Sequence, residues 1–183
     1  LDLTADQVPS LADNPEVVIH EALSDMLLYL EGNRDPSTGG PASDPLVMAA
    51  IRYALDDEGI RLLAGGKSAT PAAMLPLGFL GAYEANSGLA RDVDQAKGLL
   101  AKAGYIDDLQ LTLTYPDLTF AGVSFGTFAQ KIQADLDEAG IDVALRPTEV
   151  GVALEAYRQG KEPFGLWIRL SDYRDTVNYV EFL

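Results

Sequence analysis

The chain has 183 residues, 48% of them apolar, and no composition bias typical of a disordered or membrane protein. Its formal net charge of −15 argues against nucleic-acid binding, because a phosphate backbone attracts clustered Lys and Arg. The absence of cysteine excludes disulfides, thiol catalysis and a cysteine zinc site, and the single histidine excludes a His-rich metal site. We therefore expect no metal and no cofactor.

The two ends of the chain suggest a piece of a longer protein. The chain begins at Leu1 without an initiator methionine, signal peptide or lipidation motif, and it ends at Leu183 within an apolar pattern. Its longest uncharged stretch, residues 68–83, is interrupted by Pro71 and Pro76. These prolines predict a loop and not a transmembrane span.

The first forty residues predict short elements. Residues 4–7 form a capping box, with Thr at the cap and Gln three positions later, and predict a short helix to about Asp13. Apolar runs at residues 16–22 and 25–31 predict two strands joined by a short turn. The Pro, Gly and Ser content of residues 35–43 predicts a loop.

The middle of the chain carries clear helix boundaries. Asp44, followed by proline, predicts the start of a helix, and a second set of helical turns ends at Gly65. Residues 67–90 have no clear period and predict a long irregular connection. Asp92 predicts the cap of a third helix that is closed by Gly104.

The last third alternates between strands and helices. Residues 109–115 alternate apolar and polar and predict a strand, followed by an amphipathic helix that ends at Gly140. A strand over residues 141–145, a helix over 150–159 and a strand over 164–170 complete the pattern.

This alternation predicts an α/β fold, with a mixed sheet flanked by helices. The strand–helix–strand unit at 109–145 predicts a parallel pair joined by a right-handed crossover.

One motif is typical of hydrolases. Residues 122–126 match G-x-S-x-G, which would place Ser124 on a nucleophile elbow. The elbow requires a strand directly before the serine, but the predicted strand ends near Tyr115. It also requires a histidine later in the chain, whereas His20 lies upstream. The pattern therefore favours a helix cap at Ser124, and a serine hydrolase is kept as an alternative.

Three further patterns are weaker. Residues 66–68 look like the end of a P-loop, but position 61 is Arg61 where the motif needs glycine, and a helix precedes the loop. The carboxylate clusters at residues 56–58 and 107–108 are predicted to be helix caps or solvated faces. His20 lies on a predicted strand, and a structural role is favoured over catalysis.

The strand that carries the only tryptophan predicts a binding site. It holds Trp167 and Arg169 and delivers Asp172 at its carboxyl end, where ligands gather in open α/β sheets. An aromatic ring, a guanidinium and a carboxylate could hold a zwitterionic solute. The alternative is a buried tryptophan beside an Arg–Asp surface pair. The predicted ligand-binding residues are Trp167, Arg169, Leu170, Ser171, Asp172 and Tyr173.

This segment also resembles a known family. Residues 166–183 are similar to a stretch of the family 5 extracellular solute-binding proteins, the dipeptide-, oligopeptide- and nickel-binding proteins of ABC importers. The family pattern is a Trp-rich strand, then D-Y-P-D-P, then an aromatic-ended helix. Four upstream segments resemble the family in the same order. They are residues 44–60, 65–81, 94–105 and 133–143.

The resemblance implies a two-lobed protein whose lobes close on a ligand. Residues 1–183 would form a single domain, the second lobe, which is inserted into a first lobe that this chain lacks. The implied protein is an extracytoplasmic monomer, in the periplasm or as a cell-surface lipoprotein, with its signal region outside this chain. It would deliver a peptide or similar small polar solute to an ABC permease, without any chemistry of its own.

The resemblance also implies a role for one carboxylate. In peptide-binding members, an Asp at the position of Asp172 pairs with the α-amino group of the ligand. Two departures leave alternatives open. Arg169 stands where many members have a second Trp, and both prolines are missing from the Asp172 motif. Arg169 could bind a carboxylate or phosphate of the ligand, or it could pair with Asp172. A non-transport interaction domain derived from the binding fold remains a further alternative.

Overall fold

The computed structural model describes most of the chain. The described residues are 7–12, 14–20, 22, 24–83, 90–106 and 108–180. The helices are α1 (Gln7–Ala12), α2 (Pro36–Gly39), α3 (Pro45–Ala54), α4 (Asp57–Leu63), α5 (Val93–Lys102), α6 (Phe125–Glu138), α7 (Val150–Arg158) and α8 (Val177–Val180). The strands are β1 (Leu27–Gly32), β2 (Leu109–Pro116), β3 (Thr119–Phe120), β4 (Val123–Ser124), β5 (Ile141–Thr148) and β6 (Phe164–Arg169).

Four strands form one mixed sheet in the order β1-β6-β2-β5. β2 and β5 are parallel along their whole length, and β6 is parallel to β2 on its other side. β1 closes the edge as an antiparallel partner of β6, with Leu27 opposite Arg169. Strands β3 and β4 form a separate small hairpin. The predicted α/β fold and the parallel strand pair around α6 are therefore confirmed.

The main core lies on one face of this sheet. The alternation of β2 places Leu109, Leu111 and Leu113 on that face, and the apolar stripe of α6 packs there. Helices α3 and α5 add their own buried faces. Burial of this apolar surface is the main force that fixes the sheet and its helices together. Helix α7 covers the opposite face, where the Tyr157 ring lies 5.0 Å from that of Trp167.

The predicted helix boundaries are confirmed where polar caps define them. Asp44 accepts a hydrogen bond from the Leu46 amide at 2.8 Å, and Asp92 accepts one from the Gln95 amide at 2.8 Å. Gly104 follows α5 with φ +93°, a left-handed conformation that favours glycine at a helix end.

The predictions for the first half of the chain are confirmed only in part. Residues 35–43 are helical and not a loop, because Asp35 accepts the Ser37 amide and Pro36 occupies the first helical position. The described part of residues 16–22 contains no strand. It has no neighbour in the sheet, since β1 is the edge strand. The second predicted strand is confirmed but begins at Leu27. The predicted capping residue of α1 lies outside the described residues.

Residues 67–83 form the predicted irregular connection, and the rest of that prediction, up to residue 90, is described only at Ala90. The loop packs Phe79 against Leu27 and Tyr179, which places it beside the carboxyl end of β6. Among the described helices, none combines the length and the apolar character needed to cross a bilayer.

Candidate functional site

The candidate site lies where the parallel strands end. Since β2, β5 and β6 run in the same direction, their carboxyl ends share one edge of the sheet. The hairpin β3–β4 follows β2 at this edge, and the segment from Leu170 to Val180 follows β6. The topology therefore places Asp172 where open α/β sheets bind ligands.

Trp167 is buried below this edge of the sheet. It is 6% exposed, and its indole N–H donates a hydrogen bond to the carboxylate of Glu162. Its ring packs on that of Tyr157 from α7. The structure therefore places Trp167 in a buried cluster on the α7 face of the sheet, and its ligand-binding role stays a prediction.

Arg169 connects the end of β6 to α8. Its Nη2 atom donates to the Asn178 backbone carbonyl at 2.6 Å and to the Asn178 side-chain oxygen at 3.0 Å. Asn178 is only 2% exposed. Hydrogen bonds from a guanidinium are stronger than neutral ones, so they hold the returning segment against the sheet. Neither role predicted for Arg169, which was to bind the ligand or to pair with Asp172, includes this contact with Asn178.

The segment after β6 is also tied to the start of β1. The Ser171 hydroxyl donates to the Asp25 carboxylate, and the Tyr179 hydroxyl donates to the Asp25 backbone carbonyl. Burial raises the pKa of Tyr179, so this phenol stays a donor at neutral pH. The edge of the Tyr179 ring contacts Phe79, with centroids 5.1 Å apart. These contacts fix both ends of a short loop.

The loop between those anchors presents three of the predicted site residues to solvent. Leu170, Asp172 and Tyr173 are exposed, whereas Ser171 is half-buried. A charged side chain on an anchored loop keeps its hydration until a second surface covers it. The structure therefore brings Asp172 and Tyr173 together on an open surface and keeps Trp167 apart from them.

A cavity of about 330 Å³ opens at the same edge of the sheet. Ser24 and Met26 from the approach to β1 line one side, and Phe120 from the hairpin lines another. The irregular loop contributes Pro71 and Lys67. Most of the lining is small and apolar, which suits an uncharged side chain better than a charged one.

Ser124 is a helix cap. Its Oγ accepts a hydrogen bond from the Thr127 amide at 3.2 Å, and it also lies 2.9 Å from the Thr127 hydroxyl. The strand before it, β4, has only two residues and belongs to a hairpin. The interpretation of Ser124 as the cap of α6 is confirmed. His20 is exposed in an irregular segment and not on a strand, so its predicted position is wrong.

Among the carboxylates at residues 56–58, Asp56 belongs to a structural ion-pair network, and Glu58 pairs separately with Arg61. Asp56 caps α4 through the Gly59 amide and binds Lys131 at 2.9 Å. Lys131 also binds Asp135 at 2.5 Å, and Arg91 lies 3.7 Å from Asp135. The hydrogen bond from Lys131, followed by that from Gly59, holds the pKa of Asp56 below its usual range. The predicted cap is therefore confirmed, while Asp107 lies outside the described residues.

The resemblance to a P-loop has no structural basis. Residues 66–68 follow helix α4 and not a strand. The Arg61 guanidinium donates to the carbonyls of Gly66 and Ser68, at 3.0 and 2.7 Å. The turn is thus held by an arginine of the preceding helix, and the prediction that these residues do not form a P-loop is confirmed.

Comparison with known protein families shows to which family the chain belongs. All of it, residues 1–183, matches the bacterial extracellular solute-binding proteins, family 5 Middle. The chain belongs to this family. Its members are binding proteins and not enzymes, which agrees with the prediction that this chain catalyses no reaction. The resemblance found in the five sequence segments is therefore confirmed.

Individual relatives cover almost the whole chain. The di/tripeptide-binding protein 2 of Pseudomonas aeruginosa (strain UCBPP-PA14) is 26% identical over 176 residues, 96% of this chain. The periplasmic binding protein DppA from Helicobacter pylori, solved with the peptide STSA, has a TM-score of 0.82 at 25% identity over 98% of the chain. AgaA from A. tumefaciens R10, solved with agropinic acid, has a TM-score of 0.72 at 25% identity over 97%.

The chain spans only about a third of these relatives, namely 32%, 34% and 35% of their respective lengths. The four-stranded mixed sheet with its flanking helices thus matches one part of a larger binding protein. This confirms the predicted fold class, a lobe of the periplasmic-binding-protein kind.

Proposed function

We propose that this chain is the second, inserted lobe of a two-lobed solute-binding protein that captures a peptide for an ABC importer. The observation that carries the proposal is the exposed Asp172 carboxylate at the carboxyl end of β6, on a loop anchored at both ends. A rigidly held but uncovered carboxylate is suited to a ligand that a second lobe then covers.

The chemistry of capture follows from burial on closure. A peptide presents an α-ammonium group, and Asp172 supplies the complementary carboxylate. When closure removes water from this pair, the charge-assisted hydrogen bond is worth about 1.5–3 kcal/mol. The ligand then bridges two lobes and shifts the open–closed population toward the closed form. Tyr173, exposed beside Asp172, would supply apolar contact.

A peptide suits this surface better than an anionic solute. The guanidinium of Arg169 already holds Asn178, so the lobe directs its carboxylate and not its arginine to the opening. The small, mostly apolar cavity at the same edge suits an uncharged side chain of the ligand. Of the three relatives described above, one is named a di/tripeptide-binding protein, one was solved with a peptide and one with agropinic acid.

The remaining parts of the proposal concern the complete protein. It would be an extracytoplasmic monomer, in the periplasm or anchored at the cell surface, and its closed form would dock on a membrane permease. The family description as extracellular solute-binding proteins supports this location. The first lobe, from the remaining length of the protein, would supply the opposite wall of the site.

Native mass spectrometry of the complete protein tests the proposal. Purified without refolding, the parent is expected to carry a small solute that is lost from the Asp172→Ala variant, because the variant removes the partner of the ammonium group. Asp142→Ala is a matched control, since Asp142 is exposed on β5 and its loss changes the charge equally. The mass of the solute would identify its chemical class.

Two outcomes would count against the proposal. One is a parent protein that carries nothing and stays empty after incubation with mixed peptides and cell extract. The other is a solute that remains bound equally well to both variants. The first would favour an interaction domain, and the second would place the ligand away from Asp172.

A further inference from the structure

A row of polar residues crosses the sheet on the face that α7 covers. Arg146 of β5 is paired with Thr114 of β2, Thr114 with Gly165 of β6, and Gly165 with Glu31 of β1. Residues directly opposite one another in a sheet project to the same face. Arg146 confirms this by donating to the Thr114 hydroxyl at 2.8 Å.

Glu162 fills the gap that the glycine leaves in this row. A Cβ atom at Gly165 would lie 2.5 Å from the Oε2 atom of Glu162 and 2.9 Å from the indole nitrogen of Trp167. The Glu162 carboxylate therefore lies on the backbone of Gly165, beside the cross-strand position of Glu31. Only glycine leaves this space without moving the carboxylate.

The turn that carries Glu162 is held against β1. The Asn33 side chain donates to the carbonyls of Gly160 and Glu162, at 2.8 and 3.1 Å. The Asn33 amide also donates to the Pro163 carbonyl at 2.9 Å. These bonds fix the backbone on both sides of Glu162, so the carboxylate is positioned by the fold.

The Glu162 side chain is buried but only half satisfied. The residue is 6% exposed, and one carboxylate oxygen accepts the indole N–H of Trp167. The other oxygen, Oε1, is buried without a hydrogen-bond partner among the described residues. A buried carboxylate oxygen without a donor is costly, so a donor at this position would stabilise the lobe.

Glu31 lies opposite Gly165 on the neighbouring strand, next to the position of the Glu162 carboxylate, so a protonated Glu31 could supply this donor. Burial, and then the negative charge of Glu162, raises the pKa of Glu31 to about 7. Burial also raises the pKa of Glu162, but the Trp167 hydrogen bond and the charge of Arg146 oppose this rise. Glu162 thus has two partners that favour its charged form, so a single proton is better held by Glu31.

The other titratable and charged groups near the pair leave this assignment intact. Tyr29 of β1, whose pKa is raised chiefly by burial, stays a neutral phenol at 3.3 Å from the Tyr157 hydroxyl of α7. Arg169 of β6 acts electrostatically on Tyr29, and Arg146 is exposed at the far end of the row. The row thus contains two carboxyl groups and one exposed guanidinium. A single bound proton therefore makes its net charge zero.

We propose that Glu31 and Glu162 share one proton in weakly acidic solution, with the Glu31 carboxyl group donating a hydrogen bond to Oε1 of Glu162. This hydrogen bond joins the edge strand β1 to the turn before β6. Loss of the proton places two adjacent carboxylates on a buried face and weakens that connection. The pair thus makes the attachment of β1 to β6, the strand that leads to Asp172, sensitive to pH.

The sign of the effect follows from linkage. Between the ordinary carboxyl pKa of about 4.5 and the raised value of about 7, folded Glu31 holds a proton that the unfolded chain has released. Stability from this pair is therefore complete below about pH 4.5 and is lost as the pH rises through about 7. Basic conditions should loosen β1.

The tryptophan provides a direct readout, because Trp167 is the only one in the chain and bonds to Glu162. In the 183-residue chain, we expect a Trp167 fluorescence transition with a midpoint near pH 7. Glu31→Gln should abolish it, because the amide donates a hydrogen bond without titrating. Glu155→Gln, an exposed change on α7, should leave the transition in place. Far-UV circular dichroism checks that each variant is folded.

Carbon-13 NMR titration of the side-chain carboxyl groups tests the shared proton directly in the unmodified chain. The proposal predicts that the Glu31 carboxyl titrates near pH 7 and that Glu162 titrates at a lower pH. A Glu31 carboxyl that titrates below pH 5 would overturn the proposal. So would a fluorescence transition that persists unchanged in folded Glu31→Gln.

Discussion

Replacing Asp135 by alanine is expected to lower the free energy of unfolding by about 3 kcal/mol. The Asp135 side chain is 3% exposed, binds Lys131 at 2.5 Å and accepts the Asp56 amide at 3.1 Å. Removing it leaves a half-buried ammonium group with one carboxylate partner fewer and a backbone N–H without its acceptor. Both losses act on the folded state alone. Urea unfolding at neutral pH measures the effect.

A matched control comes from the same helix. Asp137 is exposed near the end of α6, so Asp137→Ala makes the same change in charge without breaking a buried pair. We expect it to change the unfolding free energy by less than about 0.5 kcal/mol. If the two variants were equally stable, the network around Asp135 would contribute nothing beyond general charge effects.

Replacing Arg169 by alanine is expected to lower the unfolding free energy by about 2 kcal/mol, because two charge-assisted hydrogen bonds to Asn178 are lost. In the complete protein, it should also weaken peptide binding about tenfold. The physical reason is positional: α8 anchors the loop that carries Asp172, and a loosened loop must be ordered on binding. Urea unfolding and calorimetric titration measure the two effects separately.

Two further variants serve as a control and as a conservative replacement of Arg169. Arg158→Ala removes an exposed arginine at the end of α7 and should change neither quantity appreciably. Arg169→Lys should recover only part of the stability, since a lysine cannot reproduce the geometry of a guanidinium. If Arg169→Ala left stability unchanged but abolished binding of carboxylate-bearing ligands only, Arg169 would be a ligand-binding residue.

The sequence predicted the parts of the fold that depend on local patterns. The alternation of residues 109–115 and the capped helices at Asp44, Asp92 and Ser124 all appear in the structure. In these segments, periodicity and side-chain caps agree with the tertiary packing. The prediction failed in the described part of residues 16–22, where an apolar run has no neighbouring strand to pair with.

The candidate site was predicted less completely, because its contacts join segments far apart in the chain. The sequence placed Trp167, Arg169 and Asp172 near one another, but it could not show that successive positions differ in burial. The partners of Trp167 and Arg169, which are Glu162 and Asn178, come from a turn and a short helix without a periodic signal. A buried glutamate before a strand has no sequence pattern that distinguishes it from a solvated one.

The most direct test of the central claim is calorimetric titration of the complete protein with a tripeptide, beside the same peptide acetylated at its amino terminus. The proposal predicts that acetylation weakens binding at least about 100-fold, or about 2.7 kcal/mol, because it removes the charge that pairs with Asp172. Asp172→Asn should weaken binding of the unmodified peptide similarly and should not discriminate between the two peptides. Equal binding of both peptides by the parent, or undiminished affinity in Asp172→Asn, would contradict the claim that this lobe captures its ligand through Asp172.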